Sequence, residues 1–117
     1  MAKVGVIDFR EEPCEHVDTG KHKVRPLTSD NILKPRVKVI LIICSIDQVG
    51  PRYVTLLIAR ANAQRLYPVV LCPGLNDNMT VTSELFKAGA IDCCSRPEQG
   101  KELIRNALLR RKKDKKR

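Results

Sequence analysis

The chain has 117 residues, the size of one domain with one core, and 43% of them are hydrophobic but only 3% aromatic. That composition demands an aliphatic core and argues against a base-reading surface of stacked aromatics. The net charge of +9 is concentrated at the carboxyl end, where RRKKDKKR (110–117) carries +6 and leaves +3 on everything before it.

The first element is KVGVID (3–8), a short strand ending in an acid. No apolar stretch follows Lys3 and Asp8, so a secretory leader is not expected. Residues 9–37 hold Pro13, Gly20, Pro26 and Pro35 with scattered charge and little periodicity. They read as irregular, with a weak edge strand over 22–27. VKVILIIC (37–44) is different: a β-branched apolar run with no polar alternation after Lys38, as a strand buried on both faces requires. Its length is far below a membrane span, and none is expected. Gly50 and Pro51 open a helix in which Val54, Leu57, Ile58 and Ala61 form one apolar face. Tyr67 and Pro68 are expected to stop it.

VVLC (69–72) is a second buried strand and PGLNDN (73–78) a loop. A helix follows over 79–88, with Leu85 and Phe86 expected to face inward and Gly89 as a left-handed cap. Residues 90–94 form a third short strand. The last helix carries Leu103, Ile104, Ala107 and Leu108 on one face and runs into the basic tail. Two starts are open for it. Ser95 to Glu98 matches a capping box, which leaves Gly100 inside the helix at about 1 kcal/mol; a start near Gly100 avoids that cost.

Alternating strands and helices imply right-handed crossovers and a parallel sheet covered on both faces, a small three-layer α/β fold. In such sheets functional groups gather beyond the carboxyl ends of the strands. Here those positions hold Asp8, Cys44, Cys72 and 93–96. Five cysteines, an odd number without framework spacing, read as reduced thiols in a cytoplasm. Cys44, Cys72 and Cys93 or Cys94 invite a soft-metal or redox reading. Without C-x-x-C spacing they read as small core hydrophobes, and no metal is expected. A Cys93–Cys94 disulfide would be strained. Cys14, His16 and His22 read as loop residues, and Asp77 and Asp92 as turn and surface residues. No phosphate loop or nucleophile–histidine arrangement is present.

PVVLCPG (68–74), ELFKAGAIDCCSRP (84–97) and KELIRNALLRR (101–111), in that order, resemble the receiver domain of two-component response regulators, and KVGVID is similar to the first receiver strand. The resemblance covers about two-thirds of the chain. It implies a flavodoxin-like, receiver-like sheet over 1–109. The stretch between Asp8 and Cys44 is short for two full helices and a strand, so the N-terminal half is expected to be abbreviated. It also implies positions for the family's chemistry. Asp8 matches one acid of the magnesium pair, but Phe9 replaces its partner. The phosphoacceptor aspartate falls at Cys44, with Asp47 the next acid. The switch hydroxyl falls at Cys72. The lysine before proline is Arg96 before Pro97.

One carboxylate beside thiols makes a poor magnesium site, and without the metal the charge on a transferring phosphoryl group is not neutralised. The resemblance therefore implies a non-catalytic signalling module without cofactor. It would act on a protein partner, or a second copy, through its last two helices and the strand between them. The tail stands apart. Arg110, Arg111, Lys112, Lys113, Lys115, Lys116 and Arg117 form a like-charge block, expected to be disordered: either a solubilising end or a counterion-releasing arm for nucleic acid. A small basic nucleic-acid-binding protein is thus the alternative function, and a regulator phosphorylated at Asp47 or Asp8 a further one.

Overall fold

A computed structural model describes residues 3–9, 19–20, 22–26, 37–45, 53–75 and 79–115. At its centre lies β3 (Val39–Ile43), five residues that are all buried. Flanking it are β1 (Lys3–Asp8) on one side and β4 (Tyr67–Leu71) on the other. Beyond these, β2 (Lys23–Pro26) and β5 (Asp92–Cys94) form the two edges. The five strands run parallel in the order β2-β1-β3-β4-β5. That is one of the two common orders of α/β sheets wound in both directions from a switch point.

The period of two along each strand divides the core. Ile40, Ile42 and Cys44 of β3 and its end, with Val70 and Cys72 from β4, face α1 (Tyr53–Ala63) and α2 (Met79–Ala88). Val39, Leu41 and Ile43, with Val69 and Leu71, face α3 (Gly100–Lys115) through Leu103, Ile104 and Ala107. Val54, Leu57, Ile58 and Ala61 are the buried face of α1, as their spacing requires. In α2 only Leu85 is buried; Phe86, expected to face inward, is 45% exposed. The two residues are adjacent, so a helix that buries Leu85 turns Phe86 about 100° away.

Both short helices end in the same hydrogen-bonded cap. In α2 the Gly89 N–H donates to the Phe86 carbonyl (3.0 Å) and the Ala90 N–H to the Leu85 carbonyl (3.1 Å). In α1 the Arg65 N–H donates to Asn62 (3.0 Å) and the Leu66 N–H to Ala61 (2.8 Å). These are Schellman pairs, each with an apolar contact between the residue after the cap and the last turn. The cap residue must take a positive φ: +115° for Gly89 and 60° for Arg65. Gly89 is constrained twice, because a Cβ there would collide with the Asn62 amide. That amide donates to the Ile58 carbonyl (3.2 Å) and the Gly89 carbonyl (3.0 Å), binding the two helix ends together.

The fold decides three boundaries. The strand over 69–72 begins earlier, at Tyr67, and α1 ends at Ala63. The Tyr67 N–H donates to the Lys38 carbonyl (2.8 Å), while Pro68 directs its carbonyl to Ile91 (2.9 Å). Its missing N–H therefore lies on the β5 side, where the ladder starts only at Asp92, so proline costs the sheet nothing there. Next, the capping box at Ser95–Glu98 does not form. Arg96 precedes a 3₁₀ turn, Pro97–Gln99, with no side-chain cap, and α3 starts at Gly100. Pro97 supplies the fixed φ and lacks the N–H a cap would satisfy. Lastly, α3 runs on through Lys115, so residues 110–115 of the basic run are helical. The Tyr67 hydroxyl donates to the Asp114 carboxylate (3.0 Å), and cations near a helix carboxyl end are favoured by its dipole. Lys116, Arg117 and the connections on either side of β2, where a helix was expected to be missing, lie outside the described residues.

Arg65→Gly should raise the unfolding free energy by about 0.5–1 kcal/mol, because glycine takes a positive φ without strain. Gly89→Ala should lower it by about 2 kcal/mol or more, since conformation and space both oppose the methyl group. Urea titrations of the two variants against the parent protein measure both.

Candidate functional site

The carboxyl ends of the strands come together along one edge of the sheet. Asp8 ends β1 and is exposed. The Phe9 N–H donates to the Ile43 carbonyl (2.8 Å), which continues the ladder, and its ring packs edge-on against Tyr53 with centroids 5.4 Å apart. Phe9 thus packs against the core. Next along the edge are Cys44 and Cys72, both fully buried. The Cys44 N–H donates to Leu71 (3.0 Å) and the Cys72 N–H to Cys94 (2.8 Å), so each thiol sits one residue past its strand with the backbone still paired.

The Cys44 and Cys72 thiols interact with one another, and the Cys72 sulfur lies 4.0 Å from the Pro73 carbonyl. That interaction, with burial, pushes the Cys44 thiol above its ordinary range. It draws the Cys72 thiol below its ordinary value, against burial, which pushes it up. Cys93 lies on the same face, and burial, with the Asp92 charge beside it, pushes its thiol up to about 12. Cys94 points to the opposite face, against the α3 core, with its sulfur 3.7 Å from the Arg96 carbonyl; burial pushes it up as well. Three of the four thiols therefore share one face and parity separates the fourth.

Arg96 is exposed and Pro97 half-buried at the start of the 3₁₀ turn. Asp92 is tied into the fold: its carboxylate accepts from the Cys93 N–H (2.9 Å) and from the Asn106 amide (2.7 Å) of α3. Asp47, Asp77, Cys14 and His16 lie outside the described residues. His22 stands just before β2 with a buried, unpartnered Nδ1. Among the described residues no group of three or more His, Cys, Asp or Glu side chains converges as a metal would need. None of the described helices is long and apolar enough to cross a membrane. Among the described residues the edge offers the exposed Asp8 carboxylate, the exposed Arg96 guanidinium and four thiols, two of them fully buried.

The basic residues lie at the other end of the molecule. Arg110, Lys112 and Lys113 are exposed on the last turns of α3 and Arg111 is half-buried. Asn62, Arg65 and Tyr67, which shape this end, carry no motif in the sequence. Only the positive φ of Arg65 marks it as unusual, and that is not legible from residue type.

Neither the family models nor the curated proteins compared with this chain contain a match to it.

Cys44 and Cys72 should resist iodoacetamide in the native protein and react only on unfolding, as peptide mass mapping would show. Cys93 favours the folded state in its neutral form, because its folded value lies above its ordinary value of 9.0. Its contribution is whole below about pH 9 and is lost as pH rises from there toward about 12. Denaturation midpoints should therefore fall less steeply with alkaline pH in Cys93→Ala than in the parent.

Proposed function

We propose that this chain is a non-catalytic signalling or regulatory module, a receiver-like domain that has lost its phosphorylation chemistry and acts by binding a protein partner. One observation carries the reading. A parallel sheet in the order β2-β1-β3-β4-β5 brings Asp8, Cys44, Cys72 and Arg96 to a single edge, with buried thiols at the two positions that would need an acid and a hydroxyl. That strand order belongs to flavodoxin-like sheets, where ligands sit beyond the carboxyl ends at the switch point. Here the switch point lies between β1 and β3. A thiol cannot form the acyl phosphate on which receiver switching depends, and Phe9 stands where the acid paired with Asp8 for magnesium would be needed. The architecture would remain as a scaffold for contacts.

A second reading has its own support. Residues 110–115 of the basic run continue a helix anchored in the core, so Arg110, Arg111, Lys112 and Lys113 form an ordered array suited to a polyanion.

Treatment with acetyl phosphate and magnesium, read by intact mass, should leave the protein unmodified. A stoichiometric phosphoryl adduct on Asp47 or Asp8 would overturn the non-catalytic reading in favour of a phosphorylated regulator. Crosslinking in the cells that express it should yield a discrete protein complex or homodimer, and finding the chain always alone would remove the partner.

A further inference from the structure

The amino end of the sheet, opposite the thiols, carries a groove of about 730 Å³ between the ends of the three helices. Its walls are Arg65 after α1, Phe86 and Gly89 at the end of α2, Tyr67 and Ile91 at the strand starts, and Arg110 of α3. The chain has only two tyrosines and two phenylalanines, and one of each lines this groove. Phe86 is 45% exposed and does not belong to the core clusters. One ring is not the surface of stacked aromatics that the composition argues against, but a single ring held half in water beside guanidinium groups suffices for one nucleobase to stack while its phosphates pair.

Charge decides what the groove would accept. Three helices end here, so their carbonyl ends give this edge a negative partial charge of about half a unit each. Arg65 and Arg110 line the groove, and Arg111 lies close enough to Tyr67 to act on its hydroxyl. Three full positive charges outweigh the dipole ends and the Asp114 carboxylate together by about half a unit. Asp114, which also lines the groove, accepts the Tyr67 hydroxyl at 3.0 Å and thereby fixes the end of α3 against the strand. Lys112 and Lys113 continue the cations along the helix.

We propose that this groove binds single-stranded nucleic acid, with a base stacked on Phe86 and the backbone phosphates on Arg65, Arg110 and Arg111. Affinity would come from stacking and counterion release, and sequence preference would be slight, because every base has a π-face. This goes beyond an electrostatic arm: the body of the domain, not only its basic end, meets the ligand. The wall formed by Phe86, Ile91 and Arg110 also belongs to the face made by α2, β5 and α3. A nucleic acid and a protein partner docked on that face would exclude one another.

The test is fluorescence anisotropy of the full chain with labelled oligo-dT and oligo-U of about fifteen nucleotides, over a range of salt. Both should bind, with affinity falling steeply as salt rises. Tighter binding of oligo-U would assign RNA and tighter binding of oligo-dT would assign DNA. Phe86→Leu keeps the bulk and removes the ring; it should weaken binding about ten-fold and leave the salt slope unchanged. Phe86→Trp should retain affinity. The double variant Arg65→Gln, Arg110→Gln should weaken binding and reduce the salt slope by about 1.4, for two lost phosphate contacts at about 0.7 each. Thermal melts showing all variants folded exclude a trivial cause. No binding at low salt would overturn the proposal. So would binding that Phe86→Leu leaves untouched, since the basic helix alone would then account for it.

Discussion

The burial of β3 on both faces governs the rest of the molecule. Val39–Ile43 is a strand with no polar residue and no exposed side chain. Such a strand is stable only between two apolar layers. Ile40 and Ile42 need α1 and α2 on one side; Leu41 and Ile43 need α3 on the other. Parallel neighbours follow, because each crossover helix returns the chain to the same edge. Once every strand points one way, every strand end is collected at one edge and every helix end at the other. The thiols and the basic groove are on opposite edges for that reason.

This division makes the two edges chemically unlike. At the carboxyl edge the backbone pairing continues past the strands to Cys44 and Cys72, which draws their side chains into the core. The thiols pair with one another and are shielded from solvent. At the amino edge the helices finish in exposed caps, and arginines gather where carbonyl ends leave negative partial charge. The dry edge carries the buried thiols. The wet edge carries charge and two of the scarce aromatic rings.

Much of this was legible in the sequence. The run VILII announced a doubly buried strand, the spacing of Val54, Leu57, Ile58 and Ala61 announced α1, and Gly89 announced a cap with positive φ. These signals are local. The misreadings arose where a distant partner decides. Tyr67 and Pro68 look like a helix stop until Lys38 and the late start of β5 give them a ladder. Of the two starts the sequence left open for α3, the one at Gly100 is taken, because Pro97 opens a 3₁₀ turn before it. How far α3 reaches into the basic run, to Lys115, is not a local signal either, since Tyr67 meets Asp114 from 47 residues away. The thiol edge was legible because strand ends are local features. The groove was not, because Arg65, Tyr67, Phe86 and Arg110 meet only in the folded chain.

The sheet's outer strands have a consequence for how copies of this protein behave in a crowded solution. A parallel sheet is open at both sides, and an open side is a template on which other chains add strands. Here β2 is four residues long with all its side chains exposed; two of them, Lys23 and Arg25, are cationic, and Pro26 cannot donate to a ladder. On the far side β5 is three residues long. Two incoming copies would set like charges against each other along β2 and find little backbone to pair with along β5. The most apolar strand, β3, is the one farthest from either border, and the borders themselves offer an incoming strand charge, proline and little backbone to pair with.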